Sequence, residues 1–181
     1  MRITKTADYN YITDLPIFSL ETPVYEIKIN KDIIVRELSG SNERMSSDPS
    51  NSRFEDYMID FQNSSETEKL CKTIDSIFYD RYSKDYNITA YDKWAHIHQP
   101  LESANPHAHN PCTLSFVYYV QIPKGAGDLV FTLDERSANI PVTPAEQMLI
   151  IFPSWVRHKV NKNLSNDLRI SISGNYDLTP L

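Results

Sequence analysis

The segment NPHAHNP (105–111) sets His107 and His109 two residues apart between prolines, in a chain with five histidines altogether. On an extended backbone, side chains at i and i+2 point to the same face. The pair could therefore offer two imidazole nitrogens to one ion without strain. Borderline divalent metals take imidazole at about 2.0–2.1 Å. A mononuclear site needs a third ligand from another strand. His158, in FPSWVRHKV behind the apolar run MLIIF (148–152), is the only histidine further along the chain. A second H-x-H, His96 and His98 in WAHIHQP, has the same spacing. Spacing does not choose between the pairs, and either could equally be polar side chains on a solvated strand face.

The elements that must position these residues follow from local pattern. PVYEIKI (23–29) and IIVREL (33–38) combine β-branched and aromatic residues around NKD, which predicts two strands and a turn. Residues 40–53 are polar and turn-rich and read as a loop. A helix is expected over 66–82, where Leu70, Ile74, Ile77, Phe78 and Tyr82 recur at three- and four-residue spacing behind a Ser65/Glu68 capping box. A shorter helix is expected over 53–61. Beyond residue 88 the pattern changes to short strands, near 91–98, 112–122, 128–133, 147–152, 156–161 and 168–174. Helices first and closely spaced strands second predict an α+β domain with a β-sandwich or jelly roll braced by helices on one sheet. We expect one domain over 1–181, with N-terminal strands and bracing helices in 1–90 and the jelly-roll core in 91–177.

Composition narrows the function. Gly is scarce at 4, and neither G-x-G-x-x-G nor G-x-x-x-x-G-K occurs, which argues against glycine-rich phosphate cradles. A net charge of −6 without a basic run gives no support to nucleic-acid binding through phosphate neutralisation. Cys71 and Cys112 form no C-x-x-C, and no window approaches the ~18–20 apolar residues of a membrane span. The expectation is a soluble, cytoplasmic protein with no membrane partner.

Several segments in order then carry a resemblance. PHAHNPCTLSFVYYVQIPKGAGDLVF, IIFPSWVRHKVNKN and LRISISGNY, with IFSLETPVYEI near the start, resemble the Fe(II)- and 2-oxoglutarate-dependent oxygenases, especially a small bacterial and phage group. The resemblance implies a double-stranded β-helix core, the cupin-like jelly roll. It places the iron ligands at His107, His109 and His158. The arginine for the distal carboxylate of 2-oxoglutarate falls on Arg169, eleven positions after His158. A guanidinium suits that role because its planar fork pairs with a carboxylate bidentately. Ser171 shares the face of Arg169 on a strand and could donate to the same carboxylate. Ser115 and Tyr119 share parity and would point inward, and in related prolyl hydroxylases the tyrosine at the position of Tyr119 touches the co-substrate.

The implied activity is dioxygenation, with hydroxylation of an unidentified substrate and release of succinate and CO2. The implied partners are 2-oxoglutarate, O2 and a prime substrate entering past loops 40–53 and 99–106. Trp155, beside His158, is expected to be a packing residue. The wider superfamily uses H-x-D, whereas this chain has H-x-H. Three neutral imidazoles leave the +2 of ferrous iron uncompensated, which should favour a dianionic co-substrate. The alternative is a cupin-like three-His metal-binding protein without 2-oxoglutarate chemistry. Cupins usually carry a glutamate soon after the H-x-H. NPCTLSFVYY (110–119) has none, and that reading leaves Arg169 without a role.

Overall fold

LSFVYYVQ (114–121) is apolar at nearly every position, which a strand tolerates only when both of its faces are covered. Its even residues, Leu114, Phe116, Tyr118 and Val120, belong to one buried cluster with side chains of two helices. Its odd residues Val117 and Tyr119 belong to a second, with Leu129, Phe131, Ile150, Phe152 and Val156. This strand thus separates a helical layer from a barrel interior.

The computed structural model describes residues 10–11, 18–21, 29–40, 44–45, 56–58, 65–132 and 139–181. In chain order the elements are β1 (Asn10–Tyr11), β2 (Phe18–Glu21), α1 (Lys31–Gly40), β3 (Arg44–Met45), β4 (Asp56–Met58), α2 (Ser65–Tyr82), β5 (Tyr86–His98), β6 (Ala104–His107), β7 (Leu114–Gln121), β8 (Leu129–Thr132), β9 (Asn139–Val142), β10 (Met148–Pro153), β11 (Arg157–Val160) and β12 (Arg169–Pro180). The strands form an eight-stranded sheet, β1-β2-β10-β7-β12-β5-β4-β3, and a four-stranded sheet, β6-β11-β8-β9. All of the pairings are antiparallel. This is the α+β, jelly-roll architecture expected from the sequence, with α1 and α2 packed on the outer face of the larger sheet.

Helix α2 forms as its periodicity requires, with Leu70, Cys71, Ile74, Ile77 and Phe78 buried. Its N-terminus is capped from another element: the carboxylate of Glu37 on α1 accepts the backbone N–H groups of Glu66 (3.3 Å) and Thr67 (3.1 Å). Phe78 stacks on Tyr176 of β12 with ring centroids 3.7 Å apart. Asp75 accepts from the Tyr176 hydroxyl and pairs with the buried Lys93 of β5 at 2.8 Å. Those contacts fasten the helix to the sheet's two longest strands.

Two local expectations are corrected. Residues 33–38 are helical, within α1, where a strand was expected. Helix propensity penalises Ile and Val by at most about 0.7 kcal/mol each. Burying an aliphatic side chain is worth about 1.5–3 kcal/mol, and the helix buries Ile34 and Leu38, four apart, against the sheet. Asn30 caps it, its Oδ1 accepting from the Ile33 N–H at 3.3 Å. Residues 56–58 form β4, paired with Trp94–His96 of β5, inside the range 53–61 expected to be helical. Cross-strand pairing outweighed the local spacing there. β6 and β9 were not anticipated; both contain proline within short polar stretches that read locally as loop. The expected strand at 23–28, most of loop 40–53 and the acidic DER at 134–136 lie outside the described residues. Among those described, no helix is long and apolar enough to cross a membrane.

Candidate active site

The two sheets bring remote histidines into register. β6 and β11 pair so that His107 stands directly opposite His158. Ring centroids are 4.4 Å apart for His107–His158, 4.9 Å for His107–His109 and 5.1 Å for His109–His158. One nitrogen from each lies within 4.8 Å of the others, a spacing that can converge on one ion. His109 lies just beyond the end of β6, its backbone N–H donating to the Ser154 carbonyl at 2.8 Å. The Ser154 hydroxyl meets that of Ser115 at 2.8 Å, and Ser115 donates to Asn175 Oδ1 at 2.7 Å.

Hydrogen bonds fix two of the tautomers. Nδ1 of His107 meets the Asn105 carbonyl at 2.8 Å, and Nδ1 of His158 meets the Val156 carbonyl at 3.0 Å. A carbonyl only accepts, so each Nδ1 carries the proton and each Nε2 keeps its lone pair for a metal. Burial, reinforced by His107, holds the pKa of His158 well below the ordinary histidine value, which keeps that ring neutral.

His96 differs. The Trp94 indole, a donor only, lies 2.6 Å from His96 Nε2. That nitrogen therefore accepts, the proton sits on Nδ1, and neither nitrogen has a lone pair left for an ion. Even so, all five histidines line one cavity, because Trp94, His96 and His98 alternate inward along β5. The rival H-x-H is part of the pocket wall. It is not a solvated strand face, since His98 is 2% exposed.

The far end of the cavity is Arg169. It is 1% exposed, and no described carboxylate forms an ion pair with it. Its Nη1 donates to Ser171 Oγ at 3.3 Å and lies 3.5 Å from His98 Nδ1. Among the described residues, nothing accepts from its Nε and Nη2, the two buried donors sharing one edge of the guanidinium. The Tyr119 ring packs under it, Cζ 5.2 Å from the centroid, and among the described residues the buried Tyr119 hydroxyl makes no hydrogen bond of ordinary geometry. Burial pushes the Tyr119 pKa up to about 12, so the phenol stays protonated and can donate. A buried, unpaired guanidinium is costly by several kcal/mol, and an anion with two acceptors is the chemistry that suits this edge. A carboxylate fits that edge, and three convergent imidazoles, two of them protonated at Nδ1, suit a divalent ion.

Residues 92–175 match the family model described as "Putative 2OG-Fe(II) oxygenase". That segment is similar to the 2OG-Fe(II) oxygenases. The family implies Fe(II) and 2-oxoglutarate, in keeping with the donor sets of the cavity. Solved 2OG-Fe(II) oxygenases share the fold. An oxidoreductase of this family from Burkholderia pseudomallei aligns with TM-score 0.61 and 14% identity, over 81% of this chain and 77% of that one. A Trichoplax adhaerens prolyl hydroxylase, solved with a hypoxia inducible factor oxygen degradation domain peptide, gives 0.65 and 18% over 81% and 77%. A Pseudomonas putida prolyl-4-hydroxylase gives 0.64 and 14% over 91% and 93%. A comparison with curated protein sequences finds no match.

Of the residues singled out in the sequence, His107, His109, His158, Arg169 and Ser171 line the one cavity. Tyr119 packs behind Arg169. Ser115 points inward as its parity requires, yet its hydroxyl is engaged by Ser154 and Asn175, where it braces the corner that holds His109. Trp155 is 56% exposed, contrary to the packing role expected of it. Sequence reasoning missed Trp94 and His98. The alternation of WAHIH with inward parity was the available signal, but only the pairing of β5 with β12 shows which face is inward.

Proposed function

We propose that the chain is an Fe(II)- and 2-oxoglutarate-dependent dioxygenase that hydroxylates a C–H bond of a prime substrate. His107, His109 and His158 would hold the iron through Nε2. Arg169 would take the distal carboxylate of 2-oxoglutarate on its Nε/Nη2 edge, with donors from Ser171 and Tyr119 nearby. Together, bound iron and co-substrate supply the oxidising chemistry: O2 is consumed, one oxygen atom leaves in succinate beside CO2, and the other enters the substrate.

The protein's own work is positioning and exclusion of water. The carbonyls of Asn105 and Val156 hold two imidazoles in the ligating tautomer. Phe131, Phe152 and Val117 surround the buried side of the site and keep it dry. The Trp94 ring packs against His109 with centroids 5.5 Å apart.

The observation that carries the reading is the partnerless edge of Arg169, buried in the same cavity as three convergent imidazoles. It favours the oxygenase over a cupin-like metal protein, which has no use for a buried guanidinium. Mixing protein, Fe(II) and 2-oxoglutarate without oxygen should produce a visible metal-to-ligand charge-transfer band, and admitting O2 should release succinate. A chain that binds iron but develops neither band nor succinate would belong to the cupin-like class.

A further inference from the structure

The other edge of Arg169 is also specified. His98 stands opposite Arg169 in the β5/β12 ladder, and both side chains are buried in the wall of one cavity. A guanidinium only donates, so at the 3.5 Å contact His98 Nδ1 is the acceptor and its proton resides on Nε2. With Ser171 Oγ at 3.3 Å, this gives Nη1 two tethers. They restrain the rotation of the guanidinium plane, and the Nε/Nη2 edge has no partner among the described residues.

The backbone supports the same arrangement. Asn163, fully buried, donates from Nδ2 to the His98 carbonyl (3.1 Å) and to the Asp167 carbonyl (2.8 Å). One amide thus clamps the end of β5 to the loop that delivers Arg169. A cationic imidazole would spoil the contact by repelling the guanidinium. Burial, then Arg169 itself, holds the pKa of His98 well below the ordinary value, so the ring is a neutral acceptor.

We infer that His98 is a positioning residue that orients Arg169 and thereby makes the site selective for 2-oxo diacids over 2-oxo monoacids. This rests on the oxygenase reading above. A monoacid has no distal carboxylate, so its binding at the metal should not depend on how Arg169 is held.

The test is calorimetric titration of the whole chain loaded with Mn(II), which permits binding without turnover, using 2-oxoglutarate and pyruvate as probes. For His98→Leu, which removes the acceptor, the 2-oxoglutarate Kd should rise about tenfold or more while the pyruvate Kd stays within about twofold, as for loss of a hydrogen bond to a charged group. His98→Asn, which restores a short acceptor, should recover most of the 2-oxoglutarate affinity. An unchanged 2-oxoglutarate Kd in His98→Leu overturns the inference alone. So does equal weakening of both acids, which would mark a merely structural role. A wild-type chain that does not prefer 2-oxoglutarate to pyruvate overturns the oxygenase reading and this inference with it.

Discussion

His107 and His158 lie fifty-one residues apart in the chain and directly opposite one another in the β6/β11 ladder, with ring centroids 4.4 Å apart. Each donates its Nδ1 proton to a backbone carbonyl two residues before it, so the two strands present matched, metal-ready Nε2 atoms. The histidine pair on β5 has no such arrangement, because Trp94 occupies Nε2 of His96.

That contrast predicts metal content. His107→Ala and His158→Ala should lose most of their iron after loading and desalting, since each removes one of three ligands. His96→Ala should retain iron near the wild-type level. Elemental analysis of the purified variants decides it, and loss of iron in His96→Ala with retention in His107→Ala would reverse the assignment.

Arg169→Ala should raise the 2-oxoglutarate Kd at least tenfold, because truncating one side of a buried charge pair costs about 2–5 kcal/mol. Arg169→Lys should not restore affinity, since an ammonium cannot present the two parallel donors of the Nε/Nη2 edge. Anaerobic titration of the charge-transfer band measures both. An undiminished affinity in Arg169→Ala would remove this residue from the site.

The metal-free protein should lose stability in mild acid. His98 and His158 are held neutral in the folded chain with pKa values well below ordinary, chiefly by burial. Unfolded, they protonate near pH 6.5. The unfolded state therefore binds more protons below that pH, and stability falls as pH drops from about 6.5 towards the folded values. Above that pH these two groups contribute no slope. Thermal melts from pH 7.5 to 5 in chelator should show a falling Tm, and His98→Asn should flatten part of the decline.

Asp75→Ala should loosen α2 from the sheet. It removes the carboxylate that pairs with Lys93, which is 5% exposed, and the acceptor of the Tyr176 hydroxyl. A fully buried pair broken on one side costs about 3–5 kcal/mol. The Asp75 side chain is 29% exposed, so a loss of about 2–3 kcal/mol in urea unfolding is expected once solvent screening is allowed for. Asp75→Asn should cost less, because its Oδ1 still accepts from Tyr176.

Gly127 is constrained by close approach. Its φ is +83°, and a Cβ there would come within 2.2 Å of the Asn161 carbonyl oxygen. That carbonyl is backbone and cannot swing aside, so Gly127→Ala should destabilise the β8/β11 junction by more than 1 kcal/mol. A melting temperature equal to wild type would contradict the geometry.

Sequence by itself determined whatever depends on local period and residue chemistry. Parity on LSFVYYVQ assigned Ser115 and Tyr119 to the interior, and three- and four-residue spacing assigned α2. The ordered segments around PHAHNP and FPSWVRH carried the resemblance that selected one H-x-H over the other. Tertiary structure decided whatever depends on partners distant in the chain. IIVREL became a helix because the burial of Ile34 and Leu38 outweighs the strand preference of β-branched residues. Glu37, from α1, receives the backbone N–H groups of Glu66 and Thr67 at the start of α2. His98 enters the cavity wall beside Arg169, and the Ser115 hydroxyl meets that of Ser154. A side chain's type and parity are properties of its own strand. Its hydrogen-bond partner is set by the register of two strands, and register is fixed only when the sheets close.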